Sequence, residues 1–192
     1  MVDGALPHRQ TARMPRHQPL IRPYADDDLS QVLRLDTSFE FDEVYRIVRE
    51  GDSFVVAPER LPAPSLKAYD LWEEVPAAEW DEAHVAVHED EVVGFTATHF
   101  AAWNRRQGIQ HLYVSPEWRR YGIGRALVEV VNERAVLNHA SHLWLETSNY
   151  NVPAVRAYRS MGFQLCGLDL AFYEGTPEHG EVGLLMSRGL EE

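Results

Sequence analysis

The sequence feature that most constrains the fold is a change of hydrophobic period at Gly122. Before it, apolar residues alternate along 84–100, interrupted by a turn at Glu89 and Asp90, and alternate again along 109–114. This pattern predicts a β-hairpin followed by a third strand. After it, apolar residues recur at helical spacing for three to four turns: Ile123, Ala126, Leu127, Val130, Val131 and Ala135. The chain therefore passes from a meander of strands into a helix through a short loop with two glycines.

The flanking segments extend this pattern on both sides. Residues 19–24 predict a first strand, and Asp26–Asp28 offer cap oxygens and favourable charge for a helix that follows. Further on, the pattern predicts a strand at 142–146, a helix from Pro153 that Gly162 ends, and strands at 163–168 and 182–187. This order requires an α/β (α+β) domain with one mixed sheet and helices packed on it.

The segment between Phe54 and Glu82 does not fit a regular element. It holds four prolines (Pro58, Pro62, Pro64 and Pro76), and six acidic residues lie in its second half (Asp70, Glu73, Glu74, Glu79, Asp81 and Glu82). Proline removes a backbone donor and disfavours long helices and central strands. We therefore expect a long, partly irregular, acidic segment here.

The chain ends and the charge balance narrow the choice of partners. Residues 1–18 are predicted to be a flexible leader with neither an apolar signal run nor a membrane span, and 19–192 a single domain in the cytoplasm. With 18 Lys and Arg against 30 Asp and Glu, the net charge of −12 disfavours nucleic acid and anionic membrane as partners. The single cysteine, Cys166, precludes an intrachain disulfide and a Cys-rich metal site, and we expect no metal; its apolar strand predicts a core position.

The loop before the helix has the composition of an anion-binding site. Gly122 and Gly124 let the backbone approach a phosphate, and Arg119, Arg120 and Arg125 concentrate positive charge in an otherwise acidic chain. A dinucleotide fingerprint would need a third glycine where Leu127 stands, and a Walker loop would need a lysine that is absent here. A plain connecting loop with arginines for solubility stays open on this motif alone.

Two motifs together resemble the Gcn5-related N-acetyltransferase (GNAT) superfamily. The form Arg/Gln-x-x-Gly-x-Gly/Ala is met by Arg119, Gly122 and Gly124, and the form Asn-x-x-Ala-x-x-x-Tyr-x-x-x-Gly-Phe is met from Asn151 to Phe163. Further segments are similar to the streptothricin acetyltransferases, namely 64–69, 102–105, 142–146, 161–169 and 173–176. The resemblance implies the GNAT fold, a central, mixed, mostly antiparallel twisted sheet flanked by helices.

The resemblance also implies a set of contacts to acetyl-CoA as cosubstrate. The backbone of Leu112, Tyr113 and Val114 would pair with the pantetheine arm, and an amide there would face the thioester oxygen. Main-chain amides of the loop would hold the pyrophosphate, and Asn151 would hydrogen-bond the pantetheine. The predicted binding residues after the strand are Arg119, Arg120, Tyr121, Gly122, Ile123, Gly124, Arg125, Ala126, Asn151, Ala154 and Tyr158.

Two residues are predicted to be catalytic. Tyr158 is suited to protonate the sulfur of coenzyme A. Without the glycine loop, the same residue would be interpreted as a helix residue half buried in the core. Glu146, where the resembling enzymes also carry Glu, would act as a base directly or through water; an ion pair with an arginine is the alternative. Where those enzymes carry Glu then Asp, this chain has Gln110 and His111, so a carboxylate is missing at 110. Strand alternation puts His111 on the opposite face, as a structural or surface histidine.

These features predict an N-acetyltransferase that transfers the acetyl group of acetyl-CoA to a primary amine of a small cationic molecule. A streptothricin-type antibiotic is the substrate that the resemblance implies, and the acids between Glu40 and Glu82 are expected to attract such a cation. A protein or peptide amine acetyltransferase and a non-catalytic acyl-CoA sensor are the alternatives. Because superfamily members often dimerise, a homodimer is also an expectation, although no particular surface indicates it.

Overall fold

The central element of the computed structural model is a seven-stranded sheet with the strand order β1-β4-β5-β6-β7-β9-β8. Only the β6–β7 pair is parallel among the described strands, and the others are antiparallel. The structure describes residues 18–77 and 79–190. The predicted leader therefore lies outside the described residues, apart from Gln18. None of the described helices is long and apolar enough to cross a membrane.

The elements follow the order that the sequence predicts, with one additional hairpin. The strands are β1 Leu20–Pro23, β2 Phe39–Glu50, β3 Ser53–Lys67, β4 Glu82–His88, β5 Glu91–Ala101, β6 Arg106–Val114, β7 His142–Ser148, β8 Gln164–Asp169 and β9 Gly183–Gly189. The helices are α1 Leu29–Val32, α2 Leu71–Ala77, α3 Ile123–Leu137 and α4 Val152–Ser160. Short 3₁₀ turns occupy Asp26–Asp28, Ala102–Asn104 and Pro116–Trp118. The mixed, mostly antiparallel sheet flanked by helices is confirmed.

The expectation of an irregular segment after Phe54 is wrong for Ser53–Lys67, which forms the long strand β3 paired with β2. The prolines are compatible with this pairing because the hairpin is a separate two-stranded sheet in which each strand has a free edge. The Tyr45 N–H donates to the Asn149 carbonyl and not to β3. Tyr45 and Pro58 are therefore a pair without hydrogen bonds between them, and the Pro58 nitrogen points away from β2. Pro62 and Pro64 fall in the stretch where the register shifts.

Apolar side chains pack the helices onto the sheet in separate clusters. The largest cluster joins α3 and α4 to β7 and β9, and its fully buried side chains include Val128, Leu143, Leu145 and Met186. Each such side chain stabilises the fold by about 1.5–3 kcal/mol. A second cluster packs α1 and α2 against β4 and β5. The prediction of a core position for Cys166 is wrong: it is exposed because β8 is an edge strand of the sheet.

Candidate active site

A cavity of about 730 Å³ opens where β6 and β7 end and α3 and α4 begin. Most of the site residues predicted from the sequence line it: Leu112, Tyr113, Val114, Arg119, Arg120, Gly122, Ile123, Gly124, Arg125, Glu146, Asn151, Ala154 and Tyr158. Tyr121 and Ala126, which were predicted as part of the same loop, do not line it. Segments far apart in sequence therefore converge on one space.

The two central strands separate at this cavity. The parallel pairing of β6 with β7 covers Arg106–Ile109 and His142–Leu145 and ends there in the described part of the sheet. At the same point the register of β6 with β5 shifts, and Gln110 is the extra residue of a bulge. Beyond the bulge, the side of β6 that faces β7 has no strand beside it, so an extended ligand can pair with this backbone.

The loop into α3 presents a row of backbone donors. The N–H groups of residues 120–125 have no hydrogen-bond acceptor among the described residues. Gly122 caps α3 with φ of 85°, a left-handed conformation that glycine adopts without strain. Free amides at the positive end of a helix dipole attract a phosphate or similar anion.

The arginine side chains of this loop have different roles from its amides. The Arg119 guanidinium donates from Nε to the Val114 carbonyl at 2.8 Å and from Nη1 to the Ser38 carbonyl at 2.6 Å. Burial lowers its pKa, which still leaves it charged. Arg125 donates to the Ser160 carbonyl at 2.9 Å, and Arg120 is exposed. Arg119 therefore fixes the loop to β6 and to the start of β2.

Asn151 caps helix α4 and connects it to the other wall of the cavity. Its Oδ1 accepts a hydrogen bond from the Ala154 N–H at 3.2 Å, and its Nδ2 donates to the Tyr69 hydroxyl at 3.1 Å. The capping role that the residue type indicates is thus present. The same side chain also fixes the position of Tyr69, which lines the cavity.

Tyr158 and Glu146 line the cavity from α4 and β7. Burial raises the pKa of the Tyr158 hydroxyl, and the nearby Glu146 raises it further, so the hydroxyl is protonated at neutral pH. Burial also raises the pKa of Glu146 to about 7, opposed by a hydrogen bond that the Tyr173 hydroxyl donates to it at 2.8 Å. The cavity thus holds a carboxylate poised near neutrality and a phenol that keeps its proton.

His111 does not face this cavity. It is buried on the opposite face of β6 from Gln110, with its ring packed near Phe95 and Trp80. Burial lowers its pKa to about 4, so it is neutral at pH 7. Gln110 lines the cavity. The carboxylates among the cavity-lining residues of the described chain are therefore Glu146 and Glu74.

Several residues of the opposite wall were not predicted from the sequence. They are Thr37 before β2, Phe39 in β2, Tyr69 between β3 and α2, Glu74 in α2 and Tyr173 between β8 and β9. Tyr69 and Tyr173 lie in segments whose resemblance to the streptothricin acetyltransferases was noted, which was the available signal. Nothing in the local sequence distinguishes Glu74 from the exposed Glu73 beside it.

Lys67, the only lysine of the chain, forms a buried ion pair next to two tyrosines of this wall. The Lys67 Nζ lies 2.7 Å from the Glu181 carboxylate, with side chains only 12% and 11% exposed. Glu181 also accepts a hydrogen bond from the Ser148 hydroxyl. The Lys67 Nζ lies 5.3 Å from the centre of the Tyr69 ring and 6.0 Å from that of Tyr173. This ion pair connects the β2–β3 hairpin to the segment that carries Tyr173.

Comparison with known proteins gives consistent matches. The model of the acetyltransferase (GNAT) family matches residues 41–163. The chain is 38% identical over 168 residues to the streptothricin acetyltransferase of Streptomyces lavendulae, which covers 83% of this chain and 89% of that protein. The crystal structure of a nourseothricin acetyltransferase superposes with a TM-score of 0.83 at 37% identity, covering 90% of this chain and 98% of that one. A Bacillus anthracis protein solved with acetyl coenzyme A shares the fold, with a TM-score of 0.74 at 24% identity.

Proposed function

Since the chain belongs to the GNAT acetyltransferase family and is an acetyl-CoA-dependent N-acetyltransferase, we propose that its acceptor is the primary amine of a streptothricin-type antibiotic. Two relatives named for streptothricin and nourseothricin acetylation, each matched over most of its length, support this acceptor. We further propose that the reaction takes place in the cytoplasm.

The observation that carries the proposed transfer to an amine is Glu146, a carboxylate in the cavity wall with a pKa of about 7. An amine attacks a thioester only when it is unprotonated, so the site needs a base that is ionised near neutral pH. Glu146 takes the proton from the ammonium group of the acceptor, directly or through one water. Its carboxylate also attracts a cationic acceptor into the cavity.

Tyr158 is proposed to protonate the leaving group. The amine nitrogen forms a bond to the acetyl carbon, the carbon–sulfur bond breaks, and the Tyr158 hydroxyl gives its proton to the sulfur while it takes the second ammonium proton from the nitrogen. A buried tyrosine with a raised pKa holds its proton until the thiolate forms. Both proton transfers occur in one ternary complex, without an acyl-enzyme.

The cosubstrate fits the other end of the cavity. The free amides of residues 120–125 match a pyrophosphate, and the unpaired side of β6 at Leu112–Val114 matches the amide groups of a pantetheine arm. A backbone N–H of this strand would stabilise the negative charge on the thioester oxygen. Asn151 and Ala154 at the start of α4 complete this side of the cavity.

The test is an assay of purified protein with acetyl-CoA and streptothricin, which follows the free thiol of coenzyme A and the mass of the product. We expect thiol release and a product heavier by one acetyl group. In Tyr158→Phe, turnover falls at least about 100-fold, the range of a lost general acid, while acetyl-CoA still binds. The matched control is Tyr150→Phe, because Tyr150 does not line this cavity.

Three results would contradict the proposal in different ways. Peptide amines acetylated in preference to streptothricin would indicate a protein acetyltransferase. Binding of acetyl-CoA with no turnover of any amine would indicate a sensor, and Tyr158→Phe would then change nothing. Unchanged nourseothricin sensitivity of cells that express an active protein would exclude detoxification.

A further inference from the structure

A second carboxylate lines the cavity on the wall opposite the loop into α3. Glu74 belongs to the short helix α2 and is half-buried. Its Oε2 accepts a hydrogen bond from the Tyr113 hydroxyl at 2.7 Å. The mechanism proposed above uses Glu146 and Tyr158 and leaves Glu74 without a role.

The surroundings of Glu74 suit a positive charge. Tyr113 lies in a row of packed aromatic rings, with centroids 6.0 Å apart between Tyr113 and Tyr69 and also between Tyr69 and Phe39. All three rings line the cavity. A carboxylate beside aromatic rings is a common arrangement for binding an ammonium group.

The positive side chains around Glu74 contact other groups. Burial raises the pKa of Glu74, the Tyr113 hydrogen bond lowers it, Glu178 and Asp70 raise it, and Lys67 lowers it. Lys67 is itself paired with Glu181. The arginines that line the cavity belong to the loop into α3, where Arg119 and Arg125 bond backbone carbonyls.

The side chain of Gln110 is neutral, so it adds no negative charge to the cavity beside that of Glu74. It lines the same cavity from the bulge of β6. A neutral amide there cannot offset an ammonium charge. Glu74 reaches the same cavity from a different element and is available for that role.

We propose that Glu74, held by Tyr113, binds a second positive charge of the acceptor while Glu146 receives the proton of the reacting amine. The preferred acceptors are then molecules with two amino groups, and single amines of the same length bind more weakly. This inference rests on the proposed function and specifies which acceptors that site selects.

The experiment compares Glu74→Gln with the wild type in two measurements. The first is steady-state acetylation of streptothricin. The second is inhibition of that reaction by cadaverine and by pentylamine, which share a five-carbon chain and differ in one amino group. In the wild type, cadaverine has the lower inhibition constant.

In Glu74→Gln, the KM for streptothricin rises about 10- to 100-fold, the range for hydrogen bonds to charged groups. Its kcat stays within about twofold, and cadaverine loses its advantage.

Two further variants separate a binding role from a structural one. Glu73→Gln removes the same charge from an exposed neighbour on α2 and leaves all constants unchanged. Adding Gln110→Glu to Glu74→Gln returns a carboxylate to the cavity and restores part of the advantage of cadaverine. Equal inhibition constants for the two amines in the wild type, or an unchanged KM in Glu74→Gln, would overturn the inference. A wild type that releases no coenzyme A with streptothricin would instead overturn the proposed function.

Discussion

The two ends of the cavity are built from different parts of the chain. At the end proposed to bind acetyl-CoA, the cosubstrate end, one stretch from the end of β6 to the start of α3 supplies a row of backbone amides without an acceptor among the described residues. At the acceptor end, four single side chains come from three segments far apart in sequence. They are Tyr69, Glu74, Glu146 and Tyr173.

The two ends of the cavity therefore differ in how strongly they depend on the identity of their side chains. A backbone donor is present in every residue except proline, so the cosubstrate end depends on the path of the chain more than on its side chains. The acceptor end depends on specific carboxylates and hydroxyls and changes with each substitution.

The largest effect is expected at Glu146. Glu146→Gln keeps the shape of the side chain and removes the base, so kcat falls about 10²- to 10⁴-fold. In the wild type, kcat/KM decreases as pH falls through about 7, because the protonated carboxyl cannot accept a proton. A pH–rate profile of the variant lacks this decrease, while acetyl-CoA binding is unchanged. If the decrease near pH 7 persists, Glu146 is not the base.

Thermal denaturation provides an independent check of the same variant. The pKa of Glu146 is raised in the folded protein from 4.5 to about 7, so folding favours its protonated form. Its contribution to stability is thus present at low pH and lost as pH rises through about 7. The melting temperature of Glu146→Gln minus that of the wild type is expected to be larger at pH 8 than at pH 5. Glu133→Gln, which makes the same change at an exposed residue, is the control.

The Lys67–Glu181 ion pair behind the acceptor wall is expected to give the next largest effect. Lys67→Met leaves the Glu181 carboxylate buried without its partner, which costs about 3 kcal/mol of unfolding free energy. Denaturant unfolding measures this loss. Because Tyr69 and Tyr173 pack near Lys67, the KM for the acceptor rises, whereas the dissociation constant of acetyl-CoA does not.

Two controls separate burial of the ion pair from charge alone. The double variant Lys67→Met with Glu181→Met removes both charges and recovers most of the stability, since no unpaired charge remains buried. Arg46→Met breaks an exposed ion pair with Glu59 in the same hairpin and costs less than about 1 kcal/mol. Equal losses in Lys67→Met and Arg46→Met would mean that burial of the pair contributes nothing.

The sequence predicts the elements that line the cosubstrate end because their determinants are local. Gly122 marks the end of the loop, the apolar spacing after it predicts α3, and the motif from Asn151 to Phe163 fits α4 and the turn after it. Each of these signals lies within one short stretch. The side-chain role of Arg119 was not predictable, because its acceptor Ser38 is distant in sequence.

The acceptor end could not be predicted in the same way. The prolines of Ser53–Lys67 indicated an irregular segment, whereas a free hairpin edge tolerates them. Of the acids between Glu40 and Glu82 that were expected to attract the substrate, Glu74 lines the cavity, and Glu43 and Glu82 pair with arginines instead. Which acid faces inward depends on how the hairpin and α2 pack on the sheet, and this packing is not encoded in a local pattern.

The smallest effect is expected at the cosubstrate end, from Gly122→Ala. Gly122 has a φ of 85°, and a Cβ there meets no atom within 4 Å, so the cost is conformational rather than steric. A left-handed alanine costs about 1–2 kcal/mol, and a loop that relaxes to avoid it turns its amides away from the ligand. Calorimetry is expected to give an acetyl-CoA dissociation constant about tenfold higher, with the KM for the acceptor unchanged.

Gly124→Ala is the matched control for Gly122→Ala. Its φ is not in the left-handed region, and a Cβ there meets only the Val114 side chain at 3.8 Å, an ordinary contact. Because Gly124 lies inside α3, alanine also favours the helix by about 1 kcal/mol. Acetyl-CoA binding is therefore retained in Gly124→Ala and weakened in Gly122→Ala. The same loss in both variants would mean that the missing side chains, and not the backbone conformation, make this end of the cavity fit its ligand.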